Sequence, residues 1–279
     1  MAGAWTCPTC TKVRRTEYCA TCGEQRLRDH DLSLRDMATQ FAKGASSVDG
    51  ELLRSFRSVL TAPGTLTARH LSGERRKFVS PLTLFFVANA VFVATQAFTG
   101  DNTLSTPLHS HLNNQDWSGF ARDAVQAKLS ATHQTLAQYA RTFDQEAIFN
   151  AKALMILMVL AFAPVAAAVC RTNDRAAGAH VVFALHLYSF VLALLTLALL
   201  LAQLQFLLGG DGLRSHAVDV ALSLFNLLAC GVYIHLALGP AYGARRPVRI
   251  VQTAILTVAV AAIFMGYRFA IFMITLATT

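Results

Sequence analysis

Four to five stretches of this chain are apolar over lengths that match a bilayer core, and they leave little sequence free to form anything else. A helix needs about 20 consecutive, mostly apolar residues to cross ~30 Å of hydrocarbon. Pro81–Phe98 lies at the short end of that range, with Ser80 suited to the N-cap and Pro81 to the first helical position. Further runs cover Ala151–Val169, Ala179–Leu204, Ala217–Leu238 and Ile250–Ala277. Turn or charge signals fill the gaps: residues 171–178, the Gly209-Gly210-Asp211-Gly212 cluster, and residues 239–249 with two prolines. The expectation is an all-α integral membrane protein with about five transmembrane helices.

Charge is distributed accordingly. Only 14% of the 279 residues are charged, against about 25% in ordinary soluble domains. Thirteen of the 24 Lys/Arg fall in residues 1–80, which argues against one large soluble domain. Orientation follows from Lys and Arg near the span ends. With the N-terminus inside, the cytoplasmic segments 1–80, 170–178 and 239–249 hold 18 Lys/Arg, and the outer segments 99–149 and 205–216 hold 4. Lys152 and Arg268 sit toward the outer ends of spans, where long side chains snorkel. No secretory signal opens the chain, so the expected topology is N-in, five spans, C-out. The net charge of +8 is the surplus that flanks spans, and no nucleic-acid partner is expected.

The strongest local motif is Cys7-Pro8-Thr9-Cys10 followed by Cys19-Ala20-Thr21-Cys22-Gly23. Two Cys-x-x-Cys turns place four soft thiolates in tetrahedral reach, the donor set of structural Zn²⁺. Eight residues separate the pairs, so the head, residues 1–30, is a minimal zinc-ribbon-like unit held by its metal. Four protein ligands leave no open coordination position, which argues against catalysis there. Cys170 and Cys230 stand alone among apolar residues.

Residues 31–80 read as short basic amphipathic helices. Ser33 opens a helical pattern with Leu34, Met37 and Phe41; it resumes from Asp49 with Leu52, Leu53, Phe56 and Leu60, on a face opposite Arg54 and Arg57. Ala62-Pro63-Gly64 breaks the chain, and a further helical turn runs from Thr65 to Gly73. Two placements are open. The helices lie flat in the interface with cations toward anionic head groups, or their apolar faces pack on the cytoplasmic ends of the spans. Arg54, Arg57, Arg69, Arg75, Arg76 and Lys77 form the candidate surface for anionic lipid or a cytoplasmic protein partner. Within residues 81–279, the outer segment 99–149 is polar, with a helix expected from about Asp116 that continues toward the second span. Its His109-x-His111 pair has no further His or Cys at metal-site spacing.

The order of these elements resembles a known family. The Tyr18-Cys19-x-x-Cys22-Gly23 knuckle, the amphipathic stretch, and Pro63-Gly64 leading to Leu71-Ser72-Gly73-Glu74-Arg75-Arg76-Lys77-Phe78-Val79-Ser80-Pro81 resemble the DUF3667 family of bacterial membrane proteins over roughly residues 7–95. The resemblance implies a zinc-ribbon head on a multi-span bundle in a bacterial inner membrane, and implies no activity. Family members often carry Tyr near His70 and Lys near Glu74, so it assigns no role to those two positions.

Polar residues inside spans are the remaining candidates, because they are costly there and mark paths or sites. Asn89, His186, Cys230 and His235 form a possible intramembrane site if the third and fourth spans pack side by side; the plainer reading is separate interhelical hydrogen bonds. Tyr267 and Arg268 read as an outer interfacial anchor. There is no Gly-rich phosphate loop, no His-Glu-x-x-His, no Gly-x-Ser-x-Gly and no internal repeat. The leading expectation is therefore a non-catalytic membrane platform. The alternative is a small transporter or channel for metal ions or protons, and a lipid-directed enzyme using His186 or His235 as base ranks behind both.

Overall fold

The computed structural model describes residues 4–26, 49–170 and 176–279. The helix expected from Ser33 through Phe41 lies outside the described residues. The head holds a two-residue antiparallel pair, β1 (Trp5–Thr6) and β2 (Val13–Arg14). Helices follow: α1 (Asp49–Thr61), α2 (Thr65–Leu71), α3 (Pro81–Thr99), α4 (Leu108–Asn113), α5 (Ser118–Thr132), α6 (Leu136–Ala153), α7 (Ile156–Val169), α8 (Ala177–Leu207), α9 (His216–Tyr242) and α10 (Arg246–Thr278).

Four helices, α3, α8, α9 and α10, are each long and apolar enough to cross a membrane. A fifth crossing exists if α6 and α7, bent by 50° at a short break, count as one span. The fold is thus mostly helical, with four to five candidate spans and an N-terminal cysteine cluster.

Local chemistry explains most boundaries. The Ser80 hydroxyl accepts the Thr83 amide at 3.1 Å and Pro81 occupies the first turn, where no intrahelical donor is needed. α9 runs through Pro240 and stops only at Gly243, whose left-handed φ of 67° lets its amide bond the Gly239 carbonyl. The proline-containing connection expected over 239–249 is accordingly just residues 243–245, because Pro240 removes one donor within the last turn without ending the helix. The break after α6 leaves the Ala151 carbonyl, whose helical partner would be the amide of residue 155, to accept the Tyr267 hydroxyl at 2.6 Å. Tyr267 is 4% exposed, so it is an interhelical tie and not the interfacial anchor expected.

One core runs through the bundle and includes Val59, Leu66, Phe78 and Val79 from the segment before α3. α3 lies along α8; α7 packs on α8 and α10; α9 touches α8 and α10. α1 and α2 close one end, called here the head side, against α8 and α9. At the opposite, far side, α4, α5 and α6 wrap the last turns of α10 around Phe143 and Phe272.

Candidate metal centre and head-side surface

The four cysteine sulfurs lie within 4.8 Å of one another, with Cys7 Sγ 3.5 Å from Cys22 Sγ and Cys10 Sγ 3.4 Å from Cys19 Sγ. In a tetrahedron with 2.3 Å metal–sulfur bonds, sulfurs sit roughly 3.8 Å apart, so the donor set fits one metal ion. Each Cys-x-x-Cys turn is closed the same way. The Thr11 amide donates to the Cys7 carbonyl at 2.8 Å, and the Gly23 amide donates to the Cys19 carbonyl at 2.6 Å. Both residues take positive φ, 59° and 70°. Gly23 supplies that conformation freely; Thr11, at the equivalent position, adopts it against its own preference and was not legible as a turn residue.

Electrostatics agree with a shared cation. Burial pushes the Cys19 thiol up, but the Cys22 and Thr21 amides and the Arg14 guanidinium outweigh it and bring it down to about 5. At Cys22 the Glu24 amide pulls down, while burial and the thiols of Cys7, Cys19 and Cys10 push up to about 12. The cluster thus favours charge on Cys19 and opposes a second charge at Cys22.

The head is clasped to the bundle. Glu24 is 3% exposed, and its Oε2 accepts the Thr9 hydroxyl at 2.6 Å and the Arg76 amide at 3.3 Å. The Arg76 guanidinium covers Gly23 so closely that a Cβ there would overlap it. Thr9 and Glu24 carry no motif, and only their positions, inside the first turn and just after the second, set them apart in sequence.

Of the two placements of the basic segment, α1 shows the second: one of its faces packs on the bundle. Ser55 and Val59 are buried, and the Ser55 hydroxyl accepts the Val79 amide at 3.1 Å. Leu53 and Leu60, expected on the packed face, are 74% and 47% exposed instead, beside exposed Arg54 and Arg57. The reason is that the bundle takes the Leu52–Ser55–Phe56–Val59 face, one step round the helix. Of the other cations, Arg69 and Lys77 flank Glu74 at 3.8 and 3.1 Å, and Arg69 lies over the Phe78 ring. Arg75 is partly buried, and its charge acts on His70. Burial first, then Arg75 and His186, holds the His70 imidazole well below its ordinary range.

The two intramembrane histidines have separate partners. His186 Nδ1 pairs with Thr67 Oγ1 of α2 at 2.9 Å, and His235 Nδ1 pairs with Thr253 Oγ1 of α10 at 3.3 Å. Cys230 lines an apolar cavity of about 200 Å³ that neither histidine reaches. Asn89 sits on α3 with its Oδ1 buried and without a hydrogen-bond partner among the described residues. His111 of the His-x-His pair is 1% exposed, accepts the Trp117 indole N–H at 3.1 Å and lies with its ring 4.7 Å from that of Phe272, tilted by 37°.

The family described as "Protein of unknown function (DUF3667)" matches residues 49–93, which hold α1, α2, the basic segment and most of α3. This is the family the sequence resembles; the matched stretch does not include the cysteine head. No curated protein matches the chain. No solved structure matches it either.

Proposed function

We propose that the chain is a multi-span membrane platform, with its head side cytoplasmic, a structural zinc ion in the Cys7/Cys10/Cys19/Cys22 site, and a basic surface on α1 that engages anionic lipid head groups. The exposed face of α1 carries the reading. Leu53 and Leu60 flank Arg54 and Arg57 on a helix whose other face is built into the bundle core. Apolar side chains beside cations on a helix at a bundle end suit the acyl boundary and the phosphates above it. Each cation near an anionic surface contributes about 1 kcal/mol. A zinc ion would hold the two knuckles in register, and through Glu24 and Thr9 keep the head on Arg76.

The test compares hydrogen exchange of residues 49–61 in nanodiscs of phosphatidylcholine alone and with added phosphatidylglycerol. Protection should rise with the anionic lipid, and Arg54→Gln/Arg57→Gln should abolish the rise. Equal exchange in both bilayers removes lipid from the proposal and leaves a protein partner as occupant of that face. Metal analysis should find one zinc per chain, lost in Cys19→Ala/Cys22→Ala; iron in its place would correct the metal. His186 and His235 each bond a different threonine and neither lines the cavity at Cys230, so ion or proton flux is not part of the proposal.

A further inference from the structure

The far side of the bundle holds two joined cavities between α8, α9 and α10. The outer one, about 490 Å³, is lined by Asp101, Asp219, Asn226 and Arg268 among others. The inner one, about 200 Å³, is walled by Val191, Leu194, Val260 and Phe264 and reaches Cys230. Leu195, Ser223, Asn226 and Phe264 belong to both, so a polar mouth runs directly into an apolar slot. Val220, Leu224 and Leu228 on the neighbouring face of α9 are 48–61% exposed, as residues turned toward lipid would be.

Two atoms lining these cavities are shielded from solvent and have no hydrogen-bond partner among the described residues: Arg268 Nε, a donor, and Asn226 Oδ1, an acceptor. Buried polar groups are almost always paired, and a charged donor left unpaired is the more costly of the two. The mouth therefore asks for a group that brings an acceptor to Arg268 and a donor to Asn226. Its formal charges are mixed in the same sense, with Asp101 and Asp219 beside one guanidinium. A head group carrying only negative charge would answer Arg268 but meet two carboxylates, and a purely cationic one would leave Arg268 Nε without an acceptor.

We propose that this cavity binds an amphiphile with a zwitterionic phosphate–amine head group, the phosphate on Arg268, the ammonium toward Asn226 and Asp219, and an acyl chain in the slot leading to Cys230. The site is on the opposite end of the bundle from the α1 surface and does not depend on that surface binding lipid.

Full-length protein in detergent, titrated with defined lipids and read by native mass spectrometry, tests it. Phosphatidylethanolamine should bind about tenfold more tightly than phosphatidylglycerol of the same chains, the difference one charge-assisted contact makes. Arg268→Gln and Asn226→Leu should each bring phosphatidylethanolamine down to the phosphatidylglycerol level. Glycerophosphoethanolamine, the head group without chains, should fail to compete. Equal binding of the two lipids, or binding unchanged in Arg268→Gln, overturns the proposal. Competition by the chainless head group as strong as by the lipid overturns the acyl slot. Should Arg268→Gln fail to fold, Leu195→Trp fills the neck shared by both cavities without changing charge. Undiminished binding by that variant is equally fatal.

Discussion

Gly64 joins α1 to α2 with φ at 77°, and a Cβ placed on it would stand 2.3 Å from the Ala237 carbonyl oxygen of α9. The turn thus needs glycine twice over, for its backbone conformation and for the approach of a helix 173 positions away. Gly243 has a similar φ, 67°, and open space around its Cβ direction. The pair separates the two requirements. Gly243→Ala carries only the left-handed penalty, about 1 kcal/mol, whereas Gly64→Ala adds a clash with backbone that cannot rotate away, about 2–4 kcal/mol in all. Thermal unfolding of both variants in one detergent should show the larger loss at Gly64; equal losses would mean α2 does not seat on α9. In sequence Gly64 reads only as a chain break beside Pro63. Its contact is long-range, and no local pattern encodes which helix lies across from it. The same limit hides Glu24, whose role depends on Arg76, and Thr67, whose role depends on His186. The four-cysteine cluster is legible because its chemistry fixes its own spacing.

The far-side helices α4–α6 show what periodicity reveals and what it leaves out. Apolar spacing announces a helix beyond Asp116, yet the chain turns at His133 and restarts with a capping box at Thr135 and Gln138. The bend before α7 is silent in sequence because Leu154 and Met155 suit a helix; it is held by Tyr267 from α10. His111 locks α4 to this assembly, and its chemistry predicts acid sensitivity. Burial first, and the Arg268 charge second, lower its pKa from 6.5 to about 4. Its Nδ1 accepts from Trp117, so protonation would set two donors face to face. The unfolded segment binds the proton more readily between pH 6.5 and 4, so stability is complete above pH 6.5 and falls as the pH drops toward about 4. The loss is at most about 3 kcal/mol. In a Trp5→Phe background, Trp117 fluorescence should change across that window, and His111→Phe should flatten the response. A profile unchanged by His111→Phe would place the titrating group elsewhere.

The five apolar runs fix the molecule's plan through parity. α3 leaves the head side at Pro81 and ends at Thr99, where Gln96 pairs with Thr103 beside the far cavity. α7 returns, since the Val169 carbonyl accepts Gln252 from the first turns of α10. α8 starts on the head side, with His180 against Tyr242 at the end of α9, and α10 finishes with Thr279 bonded to Tyr139 of the far cluster. The chain therefore passes four times between two ends, and a fifth time if α6 and α7 count as one crossing, with the cysteine head and Thr279 at opposite ends. The weak link is α7, whose 14 residues span only about 21 Å. It reaches across a bilayer only if the bend at Leu154–Met155 and local thinning of the lipid make up the rest. The cations agree with a full crossing, because Arg245, Arg246 and Arg249 join α9 to α10 on the side of the head. A reporter enzyme active only outside the cytoplasm should give signal when fused after Thr279 or inserted at Gly209–Gly210, and none at the N-terminus or at Gly243–Ala244. A silent C-terminal fusion beside an active one at Gly209 would place the end of α10 with the head. Silence at both would reduce α7 to a re-entrant segment, with the polar helix α6 lying along the membrane surface instead of leading a span into it.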